Sequence, residues 1–231
     1  MADSPILMPN ASDAYRQSRD RLRTAEIQLR DRIEEVAAMR RALPPGPLVR
    51  DYEFDENGTR VRLADLFAPG KPDLIIYHLM YWSKDDEYCN MCSMWIDGFN
   101  SIAPHVSQRS NFVIASRAPF DNLKAWGDKR GWDRLRLLSS SSDFARDVAA
   151  EDENGDPDST VVVFTKDGDH VRHAYTAHAM LEDRERGIDL LTPVWNLLDL
   201  TPGGRGDKWY PQNEAFDEAL RELRAKRAAK V

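Results

Sequence analysis

Cysteine is almost absent. Two residues in 231 cannot form a disulfide scaffold, so the fold has to rest on a hydrophobic core. No block of Lys and Arg occurs and the formal net charge is -7. Nucleic acid and anionic membranes attract proteins through clustered cations, so neither is expected as a partner. Long apolar runs are missing as well, and no stretch approaches the roughly 20 residues that cross a bilayer. Gly (12) and Pro (13) are present in ordinary numbers, which excludes collagen-like and low-complexity chains. Met1 to Asn10 carries Asp3 and no Lys or Arg, then turns polar before any stretch of signal-peptide length, so a cytoplasmic location is expected.

What is present suits a globular protein. A mean hydropathy of -0.60 fits solubility, and the length suits one domain of roughly 100–200 residues with extensions. From Ser12 to Leu43 there is no Gly or Pro, and Tyr15, Leu22, Leu29, Val36 and Leu43 recur every seven residues. The spacing predicts one long helix. Its second seam, Ser18, Ala25, Arg32 and Met39, is only half apolar, so a helix resting on its own domain competes with a homodimer formed through it. Pro44-Pro45-Gly46-Pro47 ends this extension, residues 1–43. A central domain, 44–210, and a charged C-terminal helix, 211–231, complete the expected division.

Within the central domain, Asn57-Gly58 predicts a hairpin turn. Leu74 to Met80 reads as a strand covered on both faces, and Phe112 to Ser116, Leu135 to Leu138 and Thr160 to Thr165 as further strands. Segments of helical length separate them, which predicts an α/β sheet. Thr160 to Thr165 and His170 to Tyr175 flank Lys166-Asp167-Gly168-Asp169 as a second hairpin, and a helix is expected from about Arg184 to Leu198. Glu151 to Asp158 reads as an acidic surface loop.

Both cysteines fall in Tyr88-Cys89-Asn90-Met91-Cys92-Ser93-Met94-Trp95, between the apolar strand and a predicted helix. A thiol at a helix N-terminus meets free N–H groups and the positive end of the dipole, which favour the nucleophilic thiolate. A second thiol one turn later can attack the resulting mixed disulfide and release the substrate. Cys89 is thus the expected attacking thiol and Cys92 the resolving one. Asp85, Asp86 and Glu87 place like charge just upstream, so a Cys89 pKa below about 5 is not expected. A packed inert pair and half of a zinc site are the alternatives. The gap from Cys92 to His170 misses compact zinc spacing, and no metal or organic cofactor is expected.

Together, Tyr77-His78-Leu79-Met80, Cys89-x-x-Cys92-Ser93-x-Trp95-x-Asp97-Gly98, His173-x-Tyr175 and Leu198-Asp199-Leu200-Thr201-Pro202-x-Gly204-Arg205 resemble the domain-of-unknown-function family of predicted dithiol-disulfide oxidoreductases, from about Leu43 to Tyr210. The resemblance implies a thioredoxin-like fold, a central mixed sheet flanked by helices. Phe112 to Ser116 followed by Pro119 and Trp126 also resembles the peroxiredoxin middle section and raises peroxide reduction as a variant. Where thioredoxins place a cis-proline facing the dithiol, this sequence puts Ser159 ahead of Thr160, with Pro157 two residues early.

Other candidates follow from position. His78, in the strand leading to the dithiol, is a candidate proton acceptor for Cys92, with a satisfied core histidine as the alternative. Trp82 and Trp95 are expected at the substrate cleft, Ser159 and Thr160 at its groove, and His173 and Tyr175 on one strand face approaching the dithiol. The expected activity is thiol-disulfide exchange on a disulfide-containing protein or small thiol substrate, renewed by an external reductant. A binding or assembly module and a thiol peroxidase are the competing readings.

Overall fold

The computed structural model describes residues 10–178, 192–204, 206 and 210–228. The chain forms two compact units, residues 1–44 and 45–231. The first is one helix, α1 (Asp13–Arg41). Ser12 caps it, its Oγ accepting from the Tyr15 N–H, while Asp13 and the pair Arg40 and Arg41 complement the two ends of the dipole. No residue of α1 is buried.

The second unit is built on a seven-stranded mixed sheet, in the order β2-β1-β7-β6-β3-β8-β9. Its strands are β1 (Glu53–Glu56), β2 (Thr59–Arg62), β3 (Asp73–Leu79), β6 (Asn111–Ser116), β7 (Arg136–Ser140), β8 (Thr160–Asp167) and β9 (His170–His178). The β1–β2 turn is Asn57-Gly58, both at positive φ (57° and 75°), as the sequence requires. Central β3, β6 and β7 run parallel, and β3 pairs antiparallel with β8. The crossovers of that parallel core are α2 (Asn90–Val106) and α3 (Phe120–Arg130). Parallel neighbours need such crossovers, whereas β8 and β9 close through a tight turn at Gly168. This is an α/β thioredoxin-like fold, with a long N-terminal helix and a C-terminal helix.

Alternation along β3 divides the core. Leu74 and Ile76 face a cluster with Phe54, Leu63, Phe144 and Phe164, on the side of α4 (Ser142–Asp147). Tyr77 and Leu79 face the other cluster, under α2 and α3, with Cys92, Trp95, Ile96 and Leu123. Both faces are covered, which is why β3 is a nearly continuous apolar run. Gly46 lies where a Cβ would come within 2.0 Å of the His173 carbonyl oxygen, so the Pro-Gly-Pro segment can pass beside β9 only with glycine there.

Of the helix expected from about Arg184, residues Pro193–Leu198 are helical as α5, capped by Thr192, and 184–191 lie outside the described residues. The C-terminal helix follows within the second compact unit. There α6 (Asn213–Ala228) is tied to the end of α3 by Lys129–Asp217 at 2.6 Å and by the Arg130 guanidinium 3.9 Å from the Phe216 ring. Among the described residues no helix is long and apolar enough to cross a membrane.

Candidate active site

The dithiol stands where β3 hands over to α2. A short hairpin intervenes, β4 (Tyr81–Trp82) with β5 (Glu87–Tyr88), and the Cys89 N–H then returns to the Met80 carbonyl at 3.3 Å. Cys89 is the N-cap of α2, and its sulfur accepts the Cys92 N–H at 3.3 Å. Both thiols are free and buried. The Cys92 thiol and the N–H groups of Cys92 and Met91 lower the Cys89 pKa to about 7, outweighing burial, and a Tyr210 hydrogen bond adds to them. Burial pushes Cys92 well above its ordinary value, and the hydrogen bond to Cys89 and the charge there push it further. The two thiols therefore differ, Cys89 tending toward the thiolate and Cys92 toward the protonated form.

The three upstream carboxylates do not occupy the helix start. Asp86 sits at positive φ (51°) in the hairpin turn, where it accepts from the Tyr81 hydroxyl (2.8 Å) and Asn122 Nδ2 (3.0 Å), and the first turn of α2 contains no acid.

A cavity of about 160 Å³ opens on the two sulfurs. Trp82, Trp95 and Ser159 line it, with Tyr77, Asp158 and Tyr210. Tyr77 is fully buried, and its hydroxyl lies 2.9 Å from Ser159 Oγ and within hydrogen-bonding reach of Cys92. Burial drives the Tyr77 pKa far up, so this hydroxyl can donate a hydrogen bond to a Cys92 thiolate and cannot act as its base. Trp126 stacks on Tyr88 (centroids 4.9 Å apart) and donates its indole N–H to Ser93 Oγ at 3.2 Å, fixing the flanks of the motif.

A family model described as a bacterial protein of unknown function, DUF899, matches residues 6–218. The chain belongs to that family. No curated protein matches it. Solved structures similar to this DUF899 chain include a peroxidoxin, BcpB, of Mycobacterium tuberculosis, 16% identical over 64% of this chain and 91% of that one, with a TM-score of 0.47. AhpC of Enterococcus faecalis is 17% identical over 72% and 98%, at 0.46. The thioredoxin lipoprotein Etrx1 of Streptococcus pneumoniae strain TIGR4 is 16% identical over 62% and 98%, at 0.42. At these identities and TM-scores none of them carries a function over to the DUF899 chain.

Four expected site residues lie elsewhere. His78 projects to the opposite face of β3 from Cys92, where Nε2 meets Ser140 Oγ at 2.9 Å and Nδ1 has no partner among the described residues. Burial, assisted by the Arg117 charge, lowers its pKa to about 3, so it is a neutral core histidine and no proton acceptor for Cys92. Thr160 pairs with His78 in the β3–β8 ladder and shares its face, its hydroxyl donating to the Ala149 carbonyl (2.8 Å). His173 and Tyr175 do not share a face. A bulge between Val163 and Phe164 aligns His173 with Phe164 and Tyr175 with Val163, which turns them to opposite sides. Strict alternation conceals that insertion. Sequence reasoning missed Tyr77, which sits beside the favoured His78, and Tyr210, brought back by the C-terminal segment with no local motif to mark it. Among the described residues no group of His, Cys, Asp and Glu is arranged to hold a metal ion.

Proposed function

We propose that the chain is a thioredoxin-like dithiol-disulfide oxidoreductase. The observation that carries this reading is Cys89 as the cap of α2, accepting the Cys92 N–H at 3.3 Å, with its pKa lowered to about 7 while Cys92 is held high. The Cys89 thiolate attacks one sulfur of a substrate disulfide. The substrate S–S bond breaks, a Cys89 mixed disulfide forms, and the departing thiolate takes the Cys92 proton directly or through water. The Cys92 thiolate, held by Tyr77, then attacks Cys89 sulfur and expels the second thiolate, which is protonated by water. The substrate disulfide is reduced, the dithiol becomes a disulfide, and an external thiol reductant restores it.

Exchange fits this cavity better than peroxide reduction. Splitting an O–O bond leaves an oxyanion that a cation would stabilise, and among the described residues the charged group in the lining is a carboxylate, Asp158. The test is turnover of a small disulfide with dithiothreitol as reductant, comparing wild type with Cys89→Ser and Cys92→Ser. Loss of turnover with Cys89→Ser and a trapped mixed disulfide with Cys92→Ser are expected. Equal rates for wild type and Cys89→Ser would end the reading. Pairing of two copies through α1 is part of the proposal, since Tyr15, Leu22, Leu29 and Met39 are each more than half exposed.

A further inference from the structure

The C-terminal segment reaches the dithiol from the far end of the sequence. Asn213, first residue of α6, is buried, and each of its hydrogen-bonding groups that faces the site is engaged there. Its N–H donates to Asn90 Oδ1 (2.8 Å), its Nδ2 donates to the Tyr88 carbonyl (3.2 Å), and its Oδ1 accepts from Arg130 Nη1 (2.9 Å). Tyr88 and Asn90 are the residues on either side of Cys89. Arg130 is itself fixed by the Asp97 carboxylate of α2. Three residues before Asn213, Tyr210 forms a wall of the dithiol cavity.

Met80, Trp82, Met91 and Trp95 also line the cavity, all able to pack against an apolar group. A volume of about 160 Å³ matches that of an apolar cavity, roughly 150 Å³, that admits one benzene. A negatively charged group entering it would lose water beside Asp158. A folded protein presenting its disulfide would have to displace the strap and strip Asn213, Asn90 and Arg130 of partners in a buried setting.

We propose that the strap Tyr210–Asn213 restricts the dithiol to small, uncharged disulfides bearing an apolar group about the size of one aromatic ring. This rests on the exchange chemistry above and names its substrate class. In the selective step the Cys89 thiolate displaces one substrate sulfur, the ring stays in the cavity as the Cys89 mixed disulfide, and the other thiolate leaves with the Cys92 proton, taken directly or through water.

The experiment measures single-turnover rates of the reduced full-length protein with dithiodipyridine (neutral, aromatic), dithiobis(nitrobenzoate) (anionic, aromatic) and insulin. Each rate is divided by that of the same disulfide with a free small thiol. Wild type is expected to favour dithiodipyridine over both others by at least about tenfold. Asn213→Ala is expected to narrow the gap to insulin severalfold by raising the insulin rate. Should circular dichroism show that variant unfolded, Tyr210→Ala removes the wall while leaving α6 intact, and the same narrowing is expected. Equal enhancement of insulin and dithiodipyridine in wild type overturns the proposal, as does an unchanged ratio in a folded strap variant. The exchange reading fails separately: it is read from release of the second thiol, whereas selectivity is read from release of the first.

Discussion

The chemistry turns on a few side chains whose neighbours set their protonation. Cys89 has its pKa lowered to about 7 by hydrogen bonds made to its sulfur. Its thiolate fraction therefore grows as pH rises through about 7, and the rate of alkylation by iodoacetamide should climb with a midpoint there. A midpoint at the ordinary thiol value near 9 would show that the helix-start hydrogen bonds do not act. Tyr77 makes the complementary prediction. Tyr77→Phe keeps the ring against Trp95 and Phe99 and removes the hydroxyl beside Cys92. A hydrogen bond to a charged partner is worth enough that the second thiol release should slow about tenfold or more, while the first release keeps its wild-type rate. Equal slowing of both phases would place Tyr77 in general packing instead. His78 and Tyr77 show how far sequence reaches at this scale: adjacent strand residues point to opposite faces, and the choice of face needs a core to define it.

At the scale of elements, α2 depends on an anchor hidden in its middle. Arg130 has a side chain only 1% exposed and pairs with Asp97 on α2, whose carboxylate also accepts from the Trp132 indole at 2.8 Å. Arg130→Ala would leave the half-buried Asp97 without its cation and Asn213 Oδ1 without its donor, so a loss of about 3 kcal/mol or more is expected in urea unfolding. A loss below about 1 kcal/mol would mean that water replaces the guanidinium. The long α1 is a different case. Its heptad spacing and lack of helix breakers made it legible, and its bounds differ from the expected ones by only a residue or two at each end. None of its residues is buried. Deleting residues 12–43 is expected to halve the mass measured by light scattering. An unchanged mass would remove the pairing role. The β8–β9 bulge and the β4–β5 hairpin were not legible, because each depends on what neighbouring strands require.

For the molecule as a whole, the buried neutral His78 ties stability to pH. Its pKa is about 3 in the folded protein and 6.5 when unperturbed. The unfolded chain therefore binds the proton first as pH falls, and stability is lost progressively from about pH 6.5 toward 3. In His78→Gln this share of the acid loss should vanish, seen as a shallower fall of the urea midpoint between pH 6 and 4. An identical slope in both proteins would show that His78 does not contribute.

The α/β alternation of the core strands, the Asn57-Gly58 turn, the long first helix and the Cys89-x-x-Cys92 junction follow from sequence alone, because each is a local matter of periodicity, backbone freedom or spacing. Only the tertiary structure decided which hydroxyl stands at Cys92, that Ser159 faces the dithiol while Thr160 faces away, and that Tyr210 lines the cavity while Asn213 bonds the residues on either side of Cys89. Those assignments depend on strand register, on one bulge and on the return of a distant segment, and long-range packing alone fixes them.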